Sequence, residues 1–373
     1  MSILKSYPQL SQEQRELINF CTDTNENIFL EGPPMSGKTS ICLYNLQNII
    51  KKEGVHSLFM VSNNAMYGYI SMALKELGIS DNVTIGTKDK FFWKMGGEKR
   101  ISISIDSDYY ENYDRILTNL LNEEIEKKRS LTIVSEVQDY LPKEWKLIKR
   151  ISHRILCYGD FKQAIFNKKN RFYRETLIND CIHKQLNYHD KNIETNELIR
   201  VRNYFFDDSE NAETKDDNYL TLSRDNGLDV KYNVIDVEYK NELKTVAEIL
   251  KALKEENSRV VIISPNNKRL SKLSIYLESE DIEHKHYEIN RDLRNHDFTS
   301  TTPLFISVFN AEGLQFDDVI LFGFDESNYI IEMKRKEDRL KSIIYVGMTR
   351  ARNRTFIVRN ENTVEELKAF EEK

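Results

Sequence analysis

Cysteine is scarce in this chain. Four in 373 residues (Cys21, Cys42, Cys157 and Cys181), widely spaced and with no CxxC pair, argue against a disulfide framework or a zinc site. Reduced thiols in a cytosol are the expectation. No apolar run approaches the ~20 residues that a bilayer-crossing helix needs. Met1 to Leu10 is polar and holds Pro8, so no secretory leader is expected there, no membrane is expected as a partner, and a cytoplasmic location follows. A surplus of positive charge is also missing: the formal net charge is −6 and the pI about 5.8. That excludes a chain coated in basic patches but leaves room for a local basic channel. No internal repeat or extended low-complexity tract stands out.

What is present is enough for two or three packed domains, with 40% hydrophobic and 31% charged residues. LSQEQRELINFC (Leu10 to Cys21) has helical spacing, and IFLEG (Ile28 to Gly32) is a short apolar strand. A helix follows from Lys38. SLFMVS (Ser57 to Ser62), LTIVS (Leu131 to Ser135) and RILCYGD (Arg154 to Asp160) read as further strands. Short apolar strands alternating with helices predict an α/β lobe with a parallel sheet. The pattern restarts with RVVIIS (Arg259 to Ser264), PLFISVF (Pro303 to Phe309), DVILFGF (Asp318 to Phe324) and TFIVR (Thr355 to Arg359), separated in part by helices near Val246 to Glu256 and Ser271 to Glu280. The predicted division is a first lobe over 1–205, with a short insertion near 94–130 carrying one helix (Tyr110 to Lys128). An acidic linker over 206–218 and a second lobe over 219–373 follow.

Two segments more than 300 residues apart carry phosphate chemistry. GPPMSGKT (Gly32 to Thr39) is a complete GxxxxGK[ST] loop between strand and helix. Gly32, Pro33, Pro34, Met35, Ser36, Gly37, Lys38, Thr39 and Ser40 are its candidate nucleotide contacts. Backbone amides would cradle phosphate oxygens, Lys38 would neutralise the β and γ phosphates, and the Thr39 hydroxyl would ligate Mg²⁺. A chance match in a glycine-rich turn is the bland alternative, and the flanking strand and helix disfavour it. Pro33 and Pro34 stiffen the loop and remove two amide donors.

The other segment, YVGMTRAR (Tyr345 to Arg352), puts Arg350 and Arg352 on a predicted helix. An arginine entering from outside the P-loop lobe can stabilise charge on a transferring phosphoryl group, and Arg200 is a second candidate. Surface arginines are the plain alternative, preferred for Arg352. Glu136, at a strand tip in VSEVQDY, can activate water, or belong to a solvated charge cluster. Gln163 in GDFKQ can sense a γ phosphate or be a polar loop residue. Gln14 can cap a helix through S-x-x-Q with Ser11, which its spacing favours, or read an adenine edge. Gly313 reads as a tight turn. His284 and His286 share a face with no third ligand in view, and Phe91, Phe92 and Trp93 read as core.

With these residues assembled, the chain resembles superfamily 1 helicases of the UvrD/Rep/PcrA kind across nearly its whole length. LSQEQRE resembles the adenine-reading Q motif and returns Gln14 to a functional role. GPPMSGKT matches motif I, and TIGTKDKF (Thr84 to Phe91) is similar to a segment that touches DNA. SEVQD resembles DExQD, GDFKQAIF resembles GDxxQxIY, and ELIRVR resembles the NYRS segment. FISVFNAEGLQFDDV is close to MTxHxAKGLEFxxV, and YVGMTRAR matches YVxxTRA.

The resemblance implies two RecA-like lobes that close on ATP and Mg²⁺, with single-stranded or partly duplex DNA across their tops. Glu136 would activate water, Gln163 would couple the γ phosphate to DNA, and Arg200 and Arg350 would act as arginine fingers. It further implies nucleotide contacts from Gln14, Gly313 and Gln315, and DNA contacts from Asn64, Thr87, Phe166 and Asn310.

The departures are specific. Ser135 stands where the family has its Mg²⁺-associated aspartate, and a hydroxyl is a much weaker partner for a hard cation. Glu312 replaces the lysine of AKGLEF, Gln315 its glutamate, and Phe309 the histidine. Ile199 replaces the adenine-stacking aromatic of NYRS. Asn167 and Lys168 lie near the place of a tryptophan, leaving Phe166 as the stacking candidate. The large second-lobe insertion is absent.

The expected function is an ATP-hydrolysing, helicase-like enzyme responsive to single-stranded DNA. The alternative is a weakly hydrolysing switch that regulates a protein partner such as a nuclease or other effector. Ser135 and Glu312 favour the latter, and the nuclease partner is an architectural analogy with helicase-like partners of nucleases in anti-phage systems.

Overall fold

The computed structural model describes residues 3–104, 106–166, 170–189, 197–206, 219–223 and 230–371. The first lobe runs α1 (Gln12–Asp23), β1 (Ile28–Glu31), α2 (Lys38–Glu53), β2 (Ser57–Val61), α3 (Asn64–Glu76), β3 (Val83–Thr87), α4 (Lys88–Glu98) and α5 (Tyr109–Asn122). It continues with β4 (Arg129–Val134), α6 (Pro142–Ile151), β5 (Ser152–Gly159), α7 (Asn170–Asp180), β6 (Ile182–His189), α8 (Glu197–Phe205) and β7 (Tyr219–Ser223). The second lobe runs β8 (Lys231–Asp236), α9 (Glu242–Lys254), β9 (Val260–Ser264), α10 (Asn267–Ser279), β10 (Lys285–His286), β11 (Leu304–Ser307) and α11 (Val308–Ala311). It ends with β12 (Phe316–Leu321), α12 (Tyr329–Lys336), α13 (Leu340–Met348), β13 (Ala351–Arg359) and α14 (Glu365–Lys368).

Both lobes are α/β, each built on a sheet whose paired strands are all parallel. The first sheet has the order β3-β2-β4-β5-β1-β6-β7 and the second β10-β11-β9-β12-β13-β8. Strands such as β1 (IFLE) and β9 (VVIIS) are buried along their whole length, as expected where helices cover both faces of a parallel sheet. Helices α4 and α5 form the first-lobe insertion. Trp93 stacks on Tyr113 and Phe92 is fully buried, so these aromatics are core, as their sequence suggested.

Two expectations need correction. Tyr219–Ser223 pairs with β6 and extends the first sheet, so the first lobe does not stop at residue 205. The second sheet begins at β8. The acidic run itself, 207–218, lies outside the described residues. Arg350 and Arg352 are not helical: α13 ends at Met348, and Arg350 sits in the turn before β13, on which Arg352 lies. The Thr349 hydroxyl bonds back to the Tyr345 carbonyl at 2.8 Å, closing the helix before the chain enters the strand.

The lobes touch along an apolar seam and by close backbone approach. Gly68 in α3 packs so near the 3-10 turn at Asn290–Asn295 that a β-carbon there would lie 2.8 Å from the carbonyl oxygens of both Leu293 and Arg294. Beside it, Arg294 donates to Asn64 at 2.7 Å.

Candidate functional site between the lobes

The carboxyl ends of β4, β5 and β1 lie side by side in the first sheet, the edge where α/β proteins place ligand-binding loops. The loop after β1 is the GPPMSGKT segment. Its amide at Gly32 donates to the Gly159 carbonyl at 3.1 Å, tying it to the end of β5. Gly37 adopts φ +86 and opens α2 without a side-chain cap, so the first amides of a 16-residue helix carry no capping side chain. Lys38 is buried and folds onto its own loop, donating to the carbonyls of Gly32 (2.7 Å) and Pro33 (2.9 Å). Burial lowers its pKa, against the raising influence of Glu136 and Asp160.

Gln14 takes the capping role and also reaches the GPPMSGKT loop. Its Oε1 accepts from the Ser11 amide (3.1 Å) in a capping box, and its Nε2 donates to the Ser36 carbonyl of the phosphate loop (3.3 Å).

Thr39 lies 3.4 Å from the Tyr158 hydroxyl, and Ser135, fully buried, is beside that same tyrosine. Among the described residues no group of three or more His, Cys, Asp or Glu side chains could hold a metal by itself. This donor set fits a magnesium ion held by Thr39, phosphate oxygens and water, not one caged by protein carboxylates.

Glu136 follows β4 and is held at φ +49, a left-handed conformation that costs a non-glycine residue about 1–3 kcal/mol. Gln138 fixes it: Gln138 Nε2 donates to Glu136 Oε2 (2.8 Å) and to Glu312 Oε1 of the second lobe (3.0 Å). Gln138 Oε1 accepts the Asp160 amide (3.1 Å). Gln163 Nε2 donates to Asp160 (3.0 Å), and Gln163 Oε1 accepts from Arg350 Nη2. Arg350 is buried and further tied to the carbonyls of Val346 (2.9 Å) and Leu314 (3.4 Å). Burial lowers its pKa, with Glu136 and Glu312 acting the other way. The result is one buried polar network shared by both lobes, in which Lys38 faces Glu136 and Asp160.

Of the predicted site residues, the P-loop, Gln14, Glu136, Gln163, Gly313 and Arg350 come together here. Gly313 (φ +80) lies where a β-carbon would be 3.2 Å from Glu136 Oε1. Arg200 is held elsewhere by Glu197 (2.5 Å), the Glu371 carbonyl (2.9 Å) and the ring of Phe370. Gln315 accepts from Arg352 (3.3 Å), which is half-buried on β13 and not on a helix. His284 bonds Ser274 (2.6 Å) and stacks on Phe305, a structural role.

A separate cleft of about 720 Å³ opens across both lobes. Asn64, Phe166 and Asn310 line it, and Thr87 does not. Helices α3, α10 and α12 begin at its wall, capped by Asn63, Asn266 and Asn328. Lys268 is the cation in its lining, and Phe166 and Phe309 contact each other at 5.5 Å between centroids. Lys334 reaches from α12 to the Ile165 carbonyl (2.9 Å). The sequence reading missed Gln138, the capping asparagines and Lys334. The three caps carried a signal, an asparagine one residue before each helix.

Two α/β lobes, each on a sheet of parallel strands, meet at a junction that holds the GPPMSGKT loop. Residues 289–362 match the family model of the UvrD-like helicase C-terminal domain, a span that includes Glu312, Gly313, Gln315 and Arg350. No curated protein matches the chain. Among solved structures, the C-terminal domain of a possible DNA helicase from Lactobacillus plantarum WCFS1 is similar over 37% of this chain and 78% of that one, at 18% identity and a TM-score of 0.30. A likeness of that size carries no functional argument. No helix among the described residues is long and apolar enough to cross a membrane.

Proposed function

We propose that this chain is an ATP-dependent DNA helicase or translocase that hydrolyses ATP between its lobes in response to single-stranded DNA. The observation that carries this reading is the hydrogen bond from Arg350 of the second lobe to Gln163 of the first, within the network that also holds Glu136 and faces Lys38. The amides at the start of α2 and Lys38 bind phosphate oxygens. Thr39 holds Mg²⁺, which when bound neutralises phosphate charge. Glu136 takes a proton from the attacking water. Arg350 supplies positive charge from the opposite lobe to the transferring phosphoryl group. Gln163, three residues before Phe166, links this centre to the cleft, where helix N-termini face phosphates and Phe166 stacks on a base. The reading also takes the chain to be cytoplasmic.

The test is ATP hydrolysis by the purified chain with and without single-stranded DNA. Turnover rises with DNA, collapses in Lys38→Ala, and falls about 10²–10⁴-fold in Glu136→Gln, the usual worth of a general base. DNA-independent turnover that survives Lys38→Ala overturns the reading.

A second reading is favoured by Ser135, a buried hydroxyl where a carboxylate would support Mg²⁺. In it the chain binds ATP tightly, turns over slowly and regulates a protein partner such as a nuclease. Wild type without turnover, with activity gained in Ser135→Asp, would select it.

A further inference from the structure

Glu312 occupies a position that neither the family pattern nor the mechanism above explains. It rises from the turn between α11 and β12, and its side chain crosses into the first lobe with no exposure to solvent. One oxygen accepts from Gln138 Nε2 at 3.0 Å. The other is buried without a donor, as is one oxygen of the neighbouring buried carboxyl of Asp139. Two carboxyl groups bond to each other only through a proton, and close like charges in a dry site cannot both ionise.

The orientation of the Gln138 amide is fixed, because its Oε1 accepts the backbone N–H of Asp160, a group that can only donate. Both Gln138 N–H groups therefore point at carboxylates, one at Glu136 (2.8 Å) and one at Glu312. A continuous bridge runs from Glu312 of one lobe through Gln138 to the general base Glu136 of the other.

We propose that Glu312 is a positioning residue: sharing one proton with Asp139, it closes a carboxyl–amide–carboxylate bridge that orients Glu136 only while the lobes are together. This rests on the reading of Glu136 as general base. The charged groups that face the bridge are Glu136 on its own turn, Lys88 from α4, bonded to the Asp139 carbonyl (2.8 Å) and to Glu144 (3.4 Å), and Arg350 from the second lobe. Lys88 favours the charge on Asp139, which leaves the proton on Glu312. Burial raises the Asp139 carboxyl to about 6, opposed by Glu312 beside it and by Lys88. Burial, with Asp139 and Glu136 facing it, raises Glu312 well above the usual carboxylate range. Both groups bind protons more tightly in the folded, closed state, so the bridge is strongest at low pH and weakens as pH rises through their folded values.

The test combines a signal independent of turnover with a kinetic one. Infrared difference spectra of the unliganded protein across a pH titration should show the carbonyl stretch of a protonated, buried carboxyl at neutral pH. The band is lost in Glu312→Gln. Distances between spin labels placed one in each lobe should lengthen in wild type at alkaline pH but not in Glu312→Gln, whose amide has no proton to lose there. Glu312→Ala should lower kcat by up to about 10²-fold with KM little changed, the cost of a misplaced catalytic group. It should also alter the alkaline limb of the rate profile. A neutral-pH spectrum with no such band, or inter-lobe distances in wild type that ignore pH, overturns the proposal. The spectra and distances read the bridge even if wild type proves not to hydrolyse ATP, which would instead count against the proposed function.

Discussion

Arg350 and Gln163, 187 residues apart in the chain, meet through a buried hydrogen bond that joins the two lobes. Gln163 in turn holds Asp160 at 3.0 Å, so the guanidinium is connected to the loops that follow β4 and β5. A change at either residue is therefore felt both in those loops and at the junction of the lobes.

Arg350→Ala is expected to reduce kcat for ATP hydrolysis by about 10³-fold or more, the usual worth of an arginine finger. Arg200→Ala, by contrast, should act mainly on stability, because Arg200 is engaged by Glu197 and Phe370. Steady-state kinetics of both variants alongside thermal melts separate the two. Equal losses of kcat would show that Arg200 swings into the centre on closure.

Ser135→Asp places a second carboxylate beside Glu136 in a site with no solvent access. Without a cation the variant should lose about 3 kcal/mol, the scale of an uncompensated buried charge. Mg²⁺ with ATP should recover most of that loss. Melting curves of wild type and variant, each with and without Mg-ATP, check the expectation. A variant as stable as wild type without magnesium would mean that another group neutralises the new charge.

Phe166→Ala should weaken single-stranded DNA binding by about 1–3 kcal/mol, the value of one stacked base. Lys268→Ala should flatten the dependence of log affinity on log salt by about 0.7, one released counterion on a single strand. Fluorescence anisotropy titrations over a salt series read both numbers. A salt slope unchanged in Lys268→Ala would mean that the strand follows another path.

Glu31, at the end of β1, is held by Arg174 (2.6 Å) and His183 (3.0 Å). Burial alone would raise its carboxyl, but the bonds from His183 and Arg174 bring it below 4.5. A depressed carboxylate contributes stability above its unfolded value that is lost as pH falls through its folded one. The stability gap between wild type and Glu31→Gln should therefore be full above about pH 5 and close under more acid conditions. Denaturant midpoints measured down a pH series test the sign, and a gap that widens with acid contradicts it.

What could be read in the sequence was what the chain encodes locally. The P-loop is a contiguous pattern between a strand and a helix, and Lys38 and Thr39 stand at the start of that helix, while Gln14 forms the capping box that its spacing from Ser11 predicts. Glu136 and Gln163 each follow a strand whose apolar run announces it. The misreadings are non-local. Tyr219–Ser223 lies after the acidic run that marked the lobe boundary, and only its pairing with β6 decides which sheet receives it. The helix that ends at Met348 runs straight into a segment with no proline or glycine to stop it, so the turn at Arg350 depends on a hydroxyl bonding backward. Glu312 was visible as a departure from a pattern, but nothing nearby in sequence pointed to Asp139 or Gln138.

Gly68 gives this arrangement a mechanical consequence. At that point the lobes meet backbone to backbone, with Leu293 and Arg294 carbonyls lying where a β-carbon would have to go. The joint has no shim. Residue 68 thereby sets the gauge of the gap between them, and even an alanine would act as a spacer that pushes the two halves of the buried polar network out of register.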